Sequence, residues 1–396
     1  MNSNKVKDLD NKYHMGVYKR LPLVLKKGEG VYLYDKDDKE YLDFAGGIAV
    51  NALGHNHPAV TEAIQEQAET LIHSSNLYYF EIQARLARLL VENSCADKVF
   101  FANSGAEANE SAFKLVRRYF YNRDDERREI IVANNSFHGR TLATIAATAQ
   151  PKYQKPFQPL PESFRVVPFD DLKALKKAIS QKTAAIMLEP VQGEGGVKPA
   201  SKQYLQGVRK LCNDRDLLFV LDEVQTGIGR TGSLFAHEHY EVKPDIFTSA
   251  KALGNGVPIS CLLARGDVAE AFKPGDHATT YGGNPLVCRA AHSTVSTIIN
   301  SGLPEKARRL GSYLWEGLEN IASQYSWIKE VRGLGLLMGI EVEKSSRKIL
   351  KKMIDRNVLV LVAGDNVVRF APPLIIEKQH IDTVLTALEA SCRELD

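Results

Sequence analysis

The sequence predicts an α/β protein with a large domain on a mostly parallel sheet and a smaller α+β domain. Three observations support this class. The 396 residues suffice for roughly two domains at about 150 residues each. After Pro58, short apolar runs alternate with helical stretches, as expected for parallel strands buried on both faces. Beyond residue 325, further strand-like runs precede one last helical stretch.

The elements follow in chain order. Residues 31–44 (VYLYDKDDKEYLDF) predict a β-hairpin around a charged turn. The predicted buried strands are Val99–Ala102, Ile130–Ala133, Ala185–Leu188, Leu217–Leu221, Ile246–Thr248 and Ile259–Ala264. Residues 285 to about 325 are predicted to be mostly helical. The runs WIKEVRGLGLLMGIEV, VLVLVAG and VVRFAPPLII predict strands of the smaller unit, closed by a helix after Glu377.

These elements suggest three parts. Residues 1–55 form an N-terminal segment that packs with the small domain, residues 56–290 form the large domain, and residues 291–396 form the small domain. We find no internal repeat and no low-complexity segment.

Composition excludes several classes. With 51 basic and 48 acidic residues the net charge is only +3, and no basic stripe predicts nucleic-acid binding. No apolar run approaches the ~18 residues needed to span a membrane. The polar start lacks the apolar core of a signal peptide, and the five scattered cysteines show no C-x-x-C pair. We therefore expect a cytoplasmic protein with reduced, buried thiols.

A phosphate site is predicted where NSGAEANESAFKLVRRYF (103–120) begins a helix. Ser104 and Glu107 have the spacing of a capping box, and apolar residues then recur at helical intervals. Gly105 and Ala106 would open this helix with free backbone N–H groups, which favour a phosphate. The alternative is a capped helix without a ligand.

Two further residues stand at predicted strand ends. Asp222 closes the run LLFVLD, at the sheet edge where ligands of open α/β sheets bind. Lys251 follows a short strand and precedes a glycine-rich turn. Either could be an ordinary loop or capping residue. Together with the phosphate-type helix start, they meet three needs of pyridoxal 5′-phosphate (PLP): a phosphate cradle, a carboxylate for the pyridine nitrogen, and a lysine for the Schiff base.

The chain also resembles a known family. LDFAGGIAVNALGHNHPAV, NSGAEANE, FHGRT, EPVQGEGG, DEVQTGIGRTG, SAKALGNG, TTYGGNP and RFAPPL occur in the order typical of class III aminotransferases, which are fold type I PLP-dependent transferases. The likeness runs from about residue 20 to the C-terminus and is strongest to acetylornithine aminotransferases.

The resemblance implies roles for individual residues. Lys251 matches the Schiff-base lysine and Asp222 the partner of the pyridine nitrogen. The other implied cofactor contacts are Gly105, Ala106, Phe137, Glu223, Val224, Gln225 and, from the neighbouring subunit, Thr280. The implied substrate contacts are Arg140, Thr279, Glu194 and Arg369, the last two as a gating acid–base pair. Because Thr280 acts across subunits, the resemblance implies a homodimer with shared active sites.

The implied reaction moves the δ-amino group of N2-acetyl-L-ornithine to 2-oxoglutarate, giving N-acetylglutamate 5-semialdehyde and L-glutamate in arginine biosynthesis. Alternatives are aminotransferases acting on ornithine, succinylornithine, succinyl-diaminopimelate or 4-aminobutyrate. FHGRT, without the tryptophan found in ornithine δ-aminotransferases, favours an acylated donor. More distant alternatives are a PLP mutase and a non-catalytic phosphate-binding or scaffold protein.

Two H-x-H pairs, His55 with His57 and His237 with His239, raise the question of a metal site. Neither pair has an evident third ligand nearby in the sequence. We therefore expect no metal.

Overall fold

The computed structural model describes residues 1–395. Its α-helices are α1 (Ser3–Tyr13), α2 (Gly46–Ala49), α3 (Pro58–Thr70), α4 (Glu81–Glu92), α5 (Gly105–Tyr121), α6 (Leu142–Ala147), α7 (Pro151–Gln154), α8 (Leu172–Ala178), α9 (Lys202–Arg215), α10 (Gly266–Ala269), α11 (Pro285–Asn300), α12 (Leu303–Ala322), α13 (Ser346–Asp355) and α14 (Lys378–Arg393). Short 3₁₀ helices cover Lys155–Phe157, Ala236–Tyr240 and Lys251–Leu253.

The strands are β1 (Leu25–Glu29), β2 (Tyr32–Asp35), β3 (Glu40–Asp43), β4 (Lys98–Ala102), β5 (Glu129–Ala133), β6 (Phe164–Val167), β7 (Thr183–Leu188), β8 (Val191–Gln192), β9 (Lys198–Pro199), β10 (Leu218–Asp222), β11 (Ile246–Ser249), β12 (Ser260–Ala264), β13 (Ile328–Leu334), β14 (Leu337–Val342), β15 (Val358–Leu359), β16 (Leu361–Ala363) and β17 (Val367–Phe370).

The centre of the fold is a seven-stranded sheet with the order β4-β12-β11-β10-β7-β5-β6. The pairs from β11 to β6 are parallel, whereas β12 runs antiparallel to both β11 and β4. β7, β10, β11 and β12 are buried along their whole length. Helices on both faces exclude water from these strands, which explains their uninterrupted apolar sequence. The predicted α/β class with a mostly parallel sheet is confirmed.

Two details of this sheet differ from the sequence analysis. The strand predicted at Ile259–Ala264 is antiparallel to β11. Only ten residues join β11 to its neighbour β12, whereas a parallel crossover takes a dozen or more residues, usually including a helix. β6 was not predicted. It is an edge strand with two exposed residues at its centre, so it lacks a continuous apolar run.

The C-terminal part contains a second, antiparallel sheet with the order β13-β14-β17-β16. α12 packs on β13 and β14, and α13 packs on β16 and β17. The predicted strand VVRFAPPLII is shorter than expected and ends at Phe370. Pro372 and Pro373 follow, and proline cannot donate to a strand ladder.

The N-terminal hairpin is joined to this C-terminal part. β1, β2 and β3 form an antiparallel meander, and β15 adds to β3 in parallel through Val358 and Leu359. One hydrophobic cluster extends from the large sheet at Phe219 through α11 and α12 to Phe370. The division of the chain at residues 55 and 290 stays a prediction. None of the helices within residues 1–395 is both long and apolar enough to cross a membrane.

Candidate active site

The candidate site is a cavity of about 410 Å³ at the carboxyl-terminal edge of the large sheet. Three chain segments meet there: the start of α5 after β4, the end of β10, and the segment after β11. Parallel strands place their carboxyl ends along one edge, where open α/β sheets bind ligands. The edge therefore brings Ser104, Asp222 and Lys251 together although they are distant in sequence.

The start of α5 forms one end of the cavity. Ser104 is the N-cap residue, and its hydroxyl accepts the N–H of Glu107 at 3.2 Å. The Glu107 carboxylate accepts the N–H of Asn103, at 2.7 Å, so the predicted capping box closes one residue earlier than expected. Within the described chain, the N–H groups of Gly105 and Ala106 have no acceptor. They are free to bind an anion at the positive end of the helix.

The absence of a side chain at Gly105 also permits the close approach of Val224. A Cβ atom at this position would lie 2.8 Å from Cγ1 of Val224, so a side chain would not fit without a shift. Val224 lines the same cavity. The glycine thus keeps open a narrow space between the start of α5 and the end of β10.

Asp222 is fixed in the cavity by three donors. Its Oδ1 accepts the N–H of Val224 at 3.0 Å, and its Oδ2 accepts the Asn109 amide at 2.8 Å. The Nδ1 atom of His138 lies 2.8 Å from the same Oδ2 atom. Thr248 on β11 donates to Asn109 at 2.8 Å and orients that amide. The network holds a buried carboxylate against one side of the cavity.

The charge on Asp222 controls its neighbours. Burial alone would lower the pKa of His138, but the hydrogen bond and charge of Asp222 raise it. Glu189 also lines the cavity, and its carboxylate accepts the N–H of Phe137 at 2.9 Å. Burial raises the pKa of Glu189 to about 7, opposed by the charge of His138 and reinforced by that of Asp222. The site thus combines the hydrogen-bonded carboxylate of Asp222 with the carboxyl group of Glu189, whose raised pKa makes it easier to protonate.

Lys251 lines the cavity at the end of β11. Its backbone has φ = 44°, a conformation that costs about 1–2 kcal/mol for a residue other than glycine. Burial, together with the charge of Arg369, lowers the pKa of its ammonium, although the carboxylate of Glu194 acts in the opposite direction. A lowered pKa favours the neutral amine, which is the nucleophilic form.

Glu194 and Arg369 form an ion pair beside Lys251. The Nη1 atom of Arg369 donates to Oε1 of Glu194 at 2.6 Å and to Oε1 of Gln225 at 3.0 Å. Arg369 is 2% exposed, whereas the Glu194 side chain is 28% exposed. Burial would raise the pKa of Glu194, but Arg369 and Lys251 lower it, so this carboxylate stays ionised. One buried cation is therefore covered by a carboxylate that can reach solvent.

Phe137 and Arg140 also line the cavity. Arg140 is exposed, and its guanidinium lies 3.9 Å from the ring centroid of Tyr153 and 5.2 Å from that of Phe137. Stacking on two rings holds the guanidinium while its N–H groups remain free for a carboxylate.

Thr279 and Thr280 lie on the chain that precedes α11, and neither of them lines the cavity. The Oγ1 atom of Thr279 accepts from Asn103 at 3.2 Å, which ties it to the start of α5. Thr280 is exposed and does not line the cavity of its own chain. Its expected contact with the cofactor of a neighbouring subunit stays a prediction.

Glu223 requires a correction. Its carboxylate accepts from the N–H groups of Ala236 and His237, at 2.6 and 2.9 Å, and from the hydroxyl of Thr226. It does not line the cavity, because successive side chains at a strand end point in opposite directions. The expected cofactor contact of this side chain is wrong.

One histidine of each H-x-H pair contacts a carboxylate. His55 contacts Asp43 and His237 contacts Glu223, each at 2.8 Å. Among residues 1–395, no group of three or more His, Cys, Asp or Glu side chains is arranged to hold a metal ion. Among residues 1–395, none of the five cysteines forms a disulfide, but Cys95 is only partly buried, which differs from the expectation of uniformly buried thiols.

Sequence reasoning missed four residues of the site: Asn109, His138, Tyr153 and Glu189. His138 and Glu189 lie within the motifs FHGRT and EPVQGEGG, and Asn109 lies in NSGAEANE. A polar residue within each motif was a signal, but its partner became evident only in three dimensions. Tyr153 had no such signal.

The site fits PLP on its geometry. The free N–H groups at Gly105 and Ala106 suit its phosphate, the buried Asp222 suits its pyridine nitrogen, and Lys251 suits its aldehyde carbon. The Phe137 ring supplies a wall for the pyridine. The fold and this arrangement define a PLP-dependent transferase.

Comparisons identify the family. Residues 14–391 match the family model for class-III aminotransferases, so the chain belongs to this PLP-dependent family. It is 53% identical over 389 residues to acetylornithine aminotransferase of Methanocaldococcus jannaschii and 50% identical over 388 residues to that of Caldanaerobacter subterraneus subsp. tengcongensis. Each alignment covers 98% of both chains.

Solved structures agree with the fold. The ornithine aminotransferase of Toxoplasma gondii has a TM-score of 0.96 at 33% identity and is matched over 100% of this chain and 96% of its own. The acetylornithine aminotransferase of Elizabethkingia anophelis has a TM-score of 0.89 at 32% identity, with 100% of both chains covered.

Proposed function

We propose that the protein transfers the δ-amino group of N2-acetyl-L-ornithine to 2-oxoglutarate, in arginine biosynthesis. The observation that carries this proposal is the buried Arg369 covered by Glu194 beside Lys251. A covered cation suits an amine donor with no carboxylate at its reacting end. The relatives at 50% and 53% identity, named acetylornithine aminotransferases, support the same substrate.

Bound PLP supplies an electron sink that weakens the C–H bond at the amine-bearing carbon. Asp222 holds a proton on the pyridine nitrogen, and Asn109 and His138 hold Asp222 in place. The Nζ atom of Lys251 would take the proton from the substrate carbon and hold it for its return. Its lowered pKa suits this exchange, because the neutral amine accepts a proton.

Arg140 takes the substrate's distal carboxylate. Its guanidinium fork matches a carboxylate with two parallel hydrogen bonds. Acetylornithine needs only this contact, whereas glutamate and 2-oxoglutarate carry a second carboxylate at the reacting end. We propose that this second carboxylate displaces Glu194 from Arg369. The two arginines would then serve both substrates in turn.

We also propose a homodimer with shared sites. Leu77, Tyr78 and Tyr79 are strongly exposed, at 81%, 65% and 105% of their reference areas, and form an apolar surface. This loop contacts the segment that carries Thr280, since Asn76 donates to the carbonyl groups of Thr279 and Gly282. Burial of the loop against a second copy would bring Thr280 towards the partner's cofactor phosphate. We expect this dimer in the cytoplasm.

The test is a comparison of kcat/KM for acetylornithine, ornithine, succinylornithine, succinyl-diaminopimelate and 4-aminobutyrate with 2-oxoglutarate. Acetylornithine is expected to have the highest value. A higher value for ornithine or 4-aminobutyrate would overturn the substrate while leaving the aminotransferase assignment intact. Sedimentation of the holoenzyme tests the dimer, and a monomer that retains full activity would contradict shared sites.

A further inference from the structure

A second cavity, of about 840 Å³, lies outside the active site. It is formed by the segment after α4, the 3₁₀ helix Ala236–Tyr240 and the start of α12. None of the residues that line it lines the active-site cavity. The proposed transamination uses none of its side chains.

Cys95 and His237 meet in the wall of this cavity. The Sγ atom of Cys95 lies 3.5 Å from Nε2 of His237, and Nδ1 of His237 lies 2.8 Å from Oε1 of Glu223. Phe235 stacks on the imidazole at 5.8 Å between centroids, and Phe247 contacts it at 5.1 Å. The ring is thus fixed with Nδ1 towards the carboxylate and Nε2 towards the sulfur.

The arrangement has the geometry of an activated nucleophile: a thiol, a base and a carboxylate that orients the base. Burial would lower the pKa of His237, but the hydrogen bonds to Cys95 and Glu223 raise it to about 10. An imidazolium between a carboxylate and a sulfur stabilises negative charge on that sulfur. Burial raises the pKa of Cys212 and Cys288 to about 12, and it also raises the pKa of Cys261.

We propose that Cys95 is a nucleophilic thiol, activated by His237 and Glu223, that forms mixed disulfides with small disulfides entering this cavity. The Cys95 sulfur attacks one sulfur of the disulfide, and its proton is held by His237. A new S–S bond forms as the old one breaks, and the leaving thiolate takes the proton from His237. Cys95 is oxidised, half of the disulfide is reduced, and a free thiol leaves.

The experiment treats the holoenzyme at neutral pH with cystamine, which is cationic, or dithiodiglycolate, which is anionic. Peptide mass spectrometry then measures the adduct at each of the five cysteines. Most of the early adduct is expected on Cys95 with either reagent. Cys95 should also react faster in the folded protein than in the urea-unfolded chain, although folding partly buries it.

Two variants test the activation. His237→Gln should slow the Cys95 adduct about tenfold or more, because the amide neither accepts nor holds the thiol proton. His239→Gln is the matched control, since this neighbouring histidine contacts Thr231, and its rate should equal that of the parent. Cofactor absorbance and the thermal midpoint check that each variant is folded.

Slower reaction of Cys95 in the folded than in the unfolded chain would overturn the proposal, whether or not the variants fold. Equal rates in His237→Gln and the parent would overturn the role of His237.

Discussion

Removal of the Glu194 carboxylate should affect the two half-reactions in opposite ways. In the structure, Arg369 donates to Glu194 and Gln225 and is almost fully buried. In Glu194→Ala, the guanidinium keeps Gln225 but loses its only carboxylate partner among the described residues. With acetylornithine bound, no substrate carboxylate replaces it. With glutamate bound, the substrate's own carboxylate does.

The magnitude follows from this geometry. A hydrogen bond to a charged group contributes about 1.5–3 kcal/mol. Because the Glu194 side chain is 28% exposed, water can enter the vacated space, so the lower part of this range applies. A loss of about 1.5–2 kcal/mol corresponds to roughly 13- to 30-fold in the acetylornithine half-reaction. The glutamate half-reaction should be unchanged or faster, because no carboxylate has to be displaced.

The assay is single-turnover kinetics of each half-reaction, followed by cofactor absorbance. Glu341→Ala is a matched control: Glu341 pairs with Arg332, a buried arginine of the same sheet that does not line the active-site cavity. It should change both half-reactions equally or not at all. If Glu194→Ala lost rate equally in both half-reactions, the proposed displacement of Glu194 by substrate would be refuted. The ion pair would then have only a structural role.

Other predictions concern the remaining site residues. Lys251→Ala should abolish transamination but leave a folded dimer that binds PLP non-covalently, as measured by steady-state assay and gel filtration. Asp222→Asn should reduce kcat by several orders of magnitude, because an amide does not stabilise the pyridinium charge. Arg140→Lys should raise KM about tenfold for donor and acceptor alike, since the bidentate contact is lost. Glu189→Gln should flatten the pH dependence of unfolding: the raised pKa of Glu189 makes the parent lose stability as pH rises from 4.5 towards about 7.

Each of these has a result that contradicts it. A tenth of parent activity in Lys251→Ala would remove its assigned role, and near-normal turnover with an unchanged spectrum would do the same for Asp222→Asn. An effect of Arg140→Lys on kcat alone would argue against carboxylate binding. If the denaturation midpoint of Glu189→Gln declined with rising pH as much as that of the parent, the titrating group would be another residue.

The parts of the site that the sequence predicted are those defined by local pattern. The S-x-x-E spacing indicated the start of α5, and an apolar run ending in a carboxylate indicated the position of Asp222. The hydrogen-bond partners of Asp222 were not predictable in this way. Asn109 is 113 residues away and His138 is 84 residues away, so only the packed sheet shows that they converge.

Orientation was the second limit. Glu223 follows Asp222 directly, and the sequence offered no means to tell that one carboxylate faces the cavity and the other faces His237. The direction of β12 is a similar case, because an apolar run indicates a buried strand without indicating its sense. Side-chain direction and strand sense depend on the neighbours, which lie far away along the chain.

The hydrogen bonds that span the site have a consequence for how the protein matures during synthesis. The hydrogen bonds of Asn109 to Asp222 and Thr248 form only after those two residues have been synthesised. The N–H of Leu53 is likewise paired with Asn255, 202 residues later. β4, which leads into α5, pairs with β12, so the helix start is not supported until about residue 264 has been made. A ribosome-bound chain that stops short of that point has the phosphate-binding sequence but no place for the cofactor. PLP capture by nascent chains of increasing length should therefore begin only after β12 has emerged, and it marks completion of the large sheet.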